Sequence, residues 1–535
     1  MNLSEWLIFI LVMLIIHGIS TWKLYEKAGR KPLESFIPIY NLVVLMKIIN
    51  RPRWWVLLLF IPIINLLMIP VVWIETIRSF GKNSKQDTVL VLVTFGFYIT
   101  FLNYRSEKLT YIENRDLQPK TKTEDTVSSL LFAVIIATLV HTYVIQPFTI
   151  PSSSLEKTLL IGDFLFVSKL NYGARTPMTS VALPMVHDSI PFTGLKSYLF
   201  NDDVTKKETS WVNKLQLPYF RFPAIEKIKR NEIVVFNQPA DTLRDMDNFH
   251  PDRNYYKPID KKTNLVKRCV GMPGDTLEIR DGDIYIDGKI SKLPPSAKAQ
   301  YNFLIDTQGQ AISQDALVHT YGAKEGLKYD NGNFALTDKG QYFLTLTDEE
   351  AALIAYNPVV KSVKKHLTPK GQNEDVFPHI SSLGWNIDNF GPIYIPKKGE
   401  TIKLDIKSLP FYKRIIEEYE HNNLKVHGSK IIINQKLSTT YTFKQDYYWM
   451  MGDNRQNSLD ARFWGYVPYD HIIGKPVFIW FSWNKDGKGI NKVRWNRVFS
   501  VVNGKGEPKS YLVHFVILIV ICTATNKILK KKKKI

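Results

Sequence analysis

The stretch Phe148–Lys169, FTIPSSSLEKTLLIGDFLFVSK, places three consecutive serines, Ser152 to Ser154, directly after an apolar run and just before a strand-like segment. The apolar run, Val127 to Ile145, would be roughly 28 Å long as a helix, close to the ~30 Å hydrocarbon core of a bilayer. Pro147 and Pro151 stop that helix and favour extended backbone. A serine so placed is a candidate nucleophile held near a membrane surface. Its hydroxyl is a weak nucleophile at neutral pH and needs a partner base.

Working outward, the chain of 535 residues is long enough for a membrane region and one large or two modest soluble domains. Its net charge of +20 does not point to nucleic acid, because much of the excess flanks apolar segments and ends in the run Lys530 to Lys534. The two cysteines, Cys269 and Cys522, lie in unlike surroundings and supply neither a disulfide framework nor a cysteine-based metal site.

Ahead of the serines, residues 1–126 read as a membrane domain with spans near 7–20, 54–74 and 88–102, and 127–145 is a fourth span. The segment Ser35–Ile49, broken by Pro38, Asn41 and Lys47, reads as interfacial or re-entrant. The loops between successive spans carry seven, three and five Lys or Arg. The first and third loops are therefore expected on the cytoplasmic side and the serines outside. A last apolar run, 511–527, followed by the basic tail 528–535, returns the chain inward, so both ends of the intervening segment require it to be extracytoplasmic.

That outer segment, 146–510, reads as mainly β. Asp163–Lys169 and Glu232–Pro239 are short apolar strands bounded by turn residues. Asp275–Lys289 alternates on both sides of Asp281-Gly282, the signal for a type I′ hairpin, and Lys425–Lys436 is a second such piece. Residues of about 290–420 form an inserted mixed α/β subdomain with one short helix near Phe411–Tyr419, and Asp202–Lys227 reads as a surface insertion. The fold class is thus a set of multi-pass membrane helices plus a mainly-β extracytoplasmic catalytic domain of antiparallel sheets.

Two lysines compete as base. Ser154-Leu155-Glu156-Lys157 fits S-x-x-K, the nucleophile motif of penicillin-binding proteins, but the K-T-G element that accompanies it there is absent. Neither G-x-S-x-G nor H-E-x-x-H occurs around the serines or elsewhere. Lys267, in LVKRCVGMPGDTLEI, follows the apolar Leu265 and Val266. An amine of reference pKa ~10.4 is neutral in only about one molecule in 2,500 at pH 7, and an apolar surround is what would make it a base. A surface lysine beside Arg268 is the plain alternative.

Four blocks in order, PSSSLEKTLLIGD, EIVVF, KRCVGMPGD and GDNRQNSLDARFWGYVP (Gly452–Pro468), resemble those of the bacterial type I signal peptidase (leader peptidase) family. The resemblance implies a membrane-bound serine endopeptidase that removes signal peptides from preproteins. It implies Ser154 as nucleophile, Lys267 as general base, Ser152 in the oxyanion hole with the Ser154 amide, and Ser458 orienting the lysine. Asp460 and Arg462 would be a structural ion pair. Phe148, Ile150, Pro151, Leu155, Leu159, Leu165, Leu265 and Val266 would line the substrate pockets. No metal or cofactor is implied. Preproteins and membrane lipid are the expected partners, nucleic acid is not, and contact with the secretion machinery stays open. Ser153, Leu155, Lys157, Gln456 and Ala461 depart from the family pattern without removing a reacting group. The expected location is the cytoplasmic membrane. A Ser154/Lys157 acyltransferase and an inactive membrane scaffold are the two other readings.

Overall fold

The computed structural model describes residues 3–119, 121–207, 209–239, 257–502 and 509–532, so the end of the basic tail, 533–535, lies outside it. The chain divides into two units. One comprises the described residues of 1–145, 173–223 and 241–262; the other those of 146–172, 224–240 and 263–535.

In the first unit, two helices are long and apolar enough to cross a membrane, Leu3–Lys27 and Lys122–Tyr143. The second begins where the Thr121 hydroxyl accepts from the Glu124 amide and ends just ahead of Gln146-Pro147.

Neither of the two middle runs is a single straight helix. The 54–74 run breaks at Pro62, where Ile63 takes φ 68°, into a short turn Trp55–Leu58 and a helix Ile64–Ser79. Glu75 near the end of that helix binds Arg51, which precedes the run, at 3.0 Å, and it also pairs with Arg115. The Ser79 carbonyl accepts from the Ile112 amide at 2.9 Å. The two ends of the run therefore lie together, so it folds back on itself. The 88–102 run is likewise two helices, Lys85–Val93 and Phe97–Tyr104, bent by 117° at Gly96. Gly96 sits at φ 85° against the Trp73 ring, where a Cβ would come within 2.7 Å of it. The helix Leu512–Lys532 near the other end of the chain is 21 residues long and apolar over Leu512–Asn526.

Residues 173–223 join the helical unit instead of the β unit expected from sequence. The Trp6 indole donates to the Gln216 carbonyl at 3.0 Å, and the Tyr143 and Phe222 rings meet edge to face at 6.2 Å.

The second unit is built on an antiparallel sheet of eight strands: β1 (Ile145–Thr149), β2 (Asp163–Ser168), β3 (Ile233–Asn237), β4 (Asn264–Gly271), β5 (Tyr447–Met451), β6 (Val467–Pro468), β7 (Ile472–Ser482) and β8 (Ser500–Val501). Their order is β1-β2-β7-β3-β4-β5-β6, with β8 beside β7. Pro147 is tolerated because β1 is an edge strand. The sheet buries apolar side chains on both faces. Ile150, Leu155, Leu159, Leu165, Val235 and Ile479 form one cluster, while Val234, Phe236, Cys269 and Met450 belong to another.

The Asp275–Lys289 stretch is a hairpin, Thr276–Arg280 with Asp283–Ile286, whose two loop residues Asp281 and Gly282 have φ of 48° and 84°. Both positive values are what a type I′ turn demands. The 290–420 region divides in two. Strands Tyr301–Asp306, Glu325–Gly326, Gln341–Leu346 and Ser362–Lys365 make a separate sheet with helix Asp348–Ile354 and a core of their own. Residues from Val376 onward, including the Leu409–Tyr419 helical piece, pack instead with the hairpin and Trp449 in one continuous core.

Candidate active site

Ser152 lies just beyond the edge strand β1, exposed and extended (φ −126°, ψ 159°), and Ser153–Leu155 form a single 3-10 turn. Leu155 and Leu159 are pulled into the apolar cluster under β2, which fixes the turn, and the Leu159 amide donates to the Leu155 carbonyl at 2.8 Å. Ser154 is thereby 7% exposed. The next residue but two, Lys157, adopts φ 69° and pairs its ammonium with Glu350.

Lys267 sits in the middle of β4, opposite Val234 of β3, with its neighbour Arg268 opposite Met451 of β5. It is 4% exposed. Burial pushes its pKa down to about 8, against a partial opposing pull from the Asp460 carboxylate. At that value about one amine in ten is neutral at pH 7.

The loop after β5 completes the neighbourhood. The Asn454 amide donates to the Ser154 carbonyl at 3.1 Å. Gly452 lies between Ser154 and Ser458: a Cβ there would fall 2.6 Å from the Ser154 carbonyl oxygen and 2.3 Å from Ser458 Oγ. Only glycine fits that approach. The Ser458 hydroxyl is buried and has no hydrogen-bond partner among the described residues, which leaves it available to a donor or acceptor that comes into range.

Two buried ion pairs hold the loop. Asp460 accepts from Arg462 Nε and Nη2, both at 2.9 Å, and from the Gly452 amide at 3.1 Å, while Arg462 Nη2 also donates to the Arg455 carbonyl at 2.6 Å. The second pair is one that sequence reasoning missed. Arg268 donates from Nε and Nη2 to the two oxygens of Asp453 at 2.7 and 2.6 Å, and Asp453 also accepts from the Thr158 hydroxyl at 2.7 Å. Burial alone would raise the Asp453 carboxyl, but the Arg268 guanidinium turns it below its usual range. The only sequence signal for this pair is the adjacency of Arg268 to Lys267 and of Asp453 to Gly452.

Of the eight pocket candidates, Phe148, Ile150, Leu155, Leu159, Leu165 and Val266 share the cluster beneath the serine turn. Leu265 packs against the other cluster, as strand alternation dictates for the neighbour of Val266, and Pro151 is exposed. A deeply buried amine with depressed pKa, an unpartnered buried hydroxyl and a constrained serine turn are the parts from which a serine–lysine acyl-transfer site can be built.

The family model for "Signal peptidase, peptidase S26" matches residues 123–350 and 396–483, more than half of the chain and a span that includes every residue just described. The interruption, 351–395, is narrower than the insertion expected from sequence. Residues 33–114 match a family of unknown function, DUF5684. Among curated proteins, the chain is 23% identical over 411 residues to "Signal peptidase I" of Buchnera aphidicola subsp. Baizongia pistaciae, covering 75% of this chain and 88% of that one. It is 24% identical to the "Signal peptidase I" of Buchnera aphidicola subsp. Acyrthosiphon pisum over 78% of this chain and 96% of the relative. With that of Helicobacter pylori strain 26695 the figures are 23%, 70% and 92%. The shared blocks, their antiparallel framework and the matched span agree, and the chain belongs to the S26 signal peptidases, a family of serine endopeptidases.

Proposed function

We propose that this protein is a signal peptidase I that removes N-terminal signal peptides from exported preproteins at the outer face of the cytoplasmic membrane, with Ser154 as nucleophile and Lys267 as general base. The observation that carries the reading is the buried Lys267 amine, whose pKa of about 8 lets it accept a proton near neutral pH.

In this mechanism neutral Lys267 Nζ takes the proton from Ser154 Oγ as the oxygen attacks the scissile carbonyl. Ser152 Oγ and the Ser154 amide donate to the developing oxyanion. The ammonium returns its proton to the leaving amine, and the acyl-enzyme is hydrolysed by a water that Lys267 deprotonates in turn. The Ser458 hydroxyl orients Lys267, and the Asp460–Arg462 pair keeps the loop in register. Extended substrate lies along the edge at β1 and the apolar cluster of Phe148, Ile150, Leu165 and Val266, which suits small side chains at the first and third positions before the cut.

Topology supports the same reading. In this reading the basic residues between Leu3–Lys27 and Lys122–Tyr143 lie on the cytoplasmic side, and Ser154, beyond the second helix, lies on the other. Ser154 is within about 40 Å of the helix end at Tyr143 even if the linking residues are fully extended. The Ser154/Lys157 acyltransferase reading is not favoured, because the Lys157 ammonium is engaged by Glu350.

The test is cleavage of a purified preprotein bearing an A-x-A site by the detergent-solubilised chain. Cleavage after the second alanine is expected from the wild type and none from Ser154→Ala. Cleavage at full rate by Ser154→Ala would reject the assignment.

A further inference from the structure

The sheet formed by residues 301–365 had no chemistry legible in sequence, yet its short strand Glu325–Gly326 reaches the serine turn. Glu325 Oε2 accepts from Asn454 Nδ2 at 2.7 Å and from Asn457 Nδ2 at 2.9 Å. Both asparagines then contact the serines. Asn454 Nδ2 also donates to the Ser153 carbonyl at 3.3 Å and its backbone amide to the Ser154 carbonyl at 3.1 Å, while Asn457 Nδ2 donates to Ser153 Oγ at 3.2 Å. One carboxylate oxygen therefore fixes the two side chains that hold the Ser153 carbonyl and the Ser153 hydroxyl, next to the Asn454 backbone amide that holds the Ser154 carbonyl.

The backbone that carries the carboxylate is fixed in a strand. Glu325 pairs with Thr345 in a sheet whose core is closed by Leu344, Leu346 and Ile354, and Gly326 (φ 152°) is so close to the neighbouring strand that a Cβ would lie 2.3 Å from the Phe343 carbonyl. Without the Glu325 acceptor the Asn454 and Asn457 side-chain amides lose the bond that fixes their torsions, and their hold on the turn loosens.

We propose that Glu325 is a positioning residue for the nucleophile: as a hydrogen-bond acceptor it orients Asn454 and Asn457, and through them sets the Ser153–Ser154 backbone and the Ser154 hydroxyl for attack. The proposal rests on the reading of Ser154 as nucleophile. It makes the 301–365 sheet a support of the serine turn, in addition to the Leu155 and Leu159 anchors in the apolar cluster.

A misplacement of the reacting oxygen by about 1 Å costs up to ~10²-fold in rate. In full-length detergent-solubilised protein acting on an A-x-A preprotein, Glu325→Ala should lower kcat about 10- to 100-fold with KM within about twofold and an unchanged thermal midpoint. Glu325→Gln, whose amide oxygen still accepts both N–H groups, should recover kcat to within about threefold. A wild-type kcat in Glu325→Ala, a loss carried by KM, or a fall in thermal midpoint that accounts for the lost activity would overturn the proposal. Ser154→Ala separates the two levels: if it cleaves, the nucleophile assignment fails, and if it is inactive while Glu325→Ala runs at the wild-type rate, the positioning role alone fails.

Discussion

Lys267→Met is expected to abolish preprotein cleavage, whereas Lys157→Met keeps activity within about tenfold of the wild type. The surroundings of the two lysines differ in kind. Lys267 is almost wholly buried, the nearby Asp460 carboxylate is already engaged by Arg462, and desolvation lowers the amine's pKa to about 8. Lys157 is also lowered by desolvation, but the Glu350 carboxylate on its ammonium works in the opposite direction and occupies it. Removing a group that accepts the nucleophile's proton costs many orders of magnitude in comparable catalytic sets, about 10⁶ in kcat where the residues act as a unit. Removing an ion pair at the margin of the site does not. Initial rates of the two purified variants on one preprotein check the assignment, and an inactive Lys157→Met beside an active Lys267→Met would reverse it.

Arg268→Met is expected to destabilise the β unit by about 3–5 kcal/mol, because it strands the Asp453 carboxylate in a buried site. The pair is 2% and 0% exposed, and Arg268 additionally donates to the Asn231 carbonyl at 2.6 Å. Since Arg268 holds Asp453 below its usual range, Asp453 contributes stability above the pKa of an unfolded carboxylate that is lost as pH falls through the folded value. The penalty of Arg268→Met should accordingly shrink in acid, where the stranded Asp453 takes up a proton. Arg268→Met combined with Asp453→Leu should recover much of the loss, the non-additivity expected of contacting residues. Denaturant unfolding of the wild type and these variants at pH 7 and pH 5 measures both effects.

Much of the candidate site was legible because its residues are local in sequence. Ser154 follows an apolar run, Lys267 follows two apolar residues in a strand pattern, and Ser458, Asp460 and Arg462 fall within one short block; the fold brings these blocks together through β4 and β5. The hairpin at Asp281-Gly282 was legible for the same reason, since a two-residue loop declares its own backbone geometry. The pairings that cross long stretches of chain were not. Glu325 meets Asn454 across 129 residues, Arg268 meets Asp453 across 185, and no periodicity links them. Hydropathy could not show where these apolar runs break, because Pro62 and Gly96 decide that through backbone conformation while the composition stays the same. Nor could the β pattern show that residues 173–223 associate with the helices through Trp6 and Tyr143.

The assignment of a desolvated Lys267 as the base is tested most directly by the pH dependence of kcat/KM on a preprotein between pH 5 and 11. With Lys267 as the proposed base, activity requires the neutral amine in the free enzyme, so the rate at low substrate should rise with pH through a single ionisation at about 8 and level off above it. Leu155→Asp, which puts a carboxylate in the apolar cluster beside the serine turn, should move that limb to higher pH by favouring the ammonium, and a tenfold change in the amine's acidity corresponds to about 1.4 kcal/mol. An acidic limb lying near 10 in the wild type, or one that persists unchanged when Lys267 is replaced, would contradict the assignment.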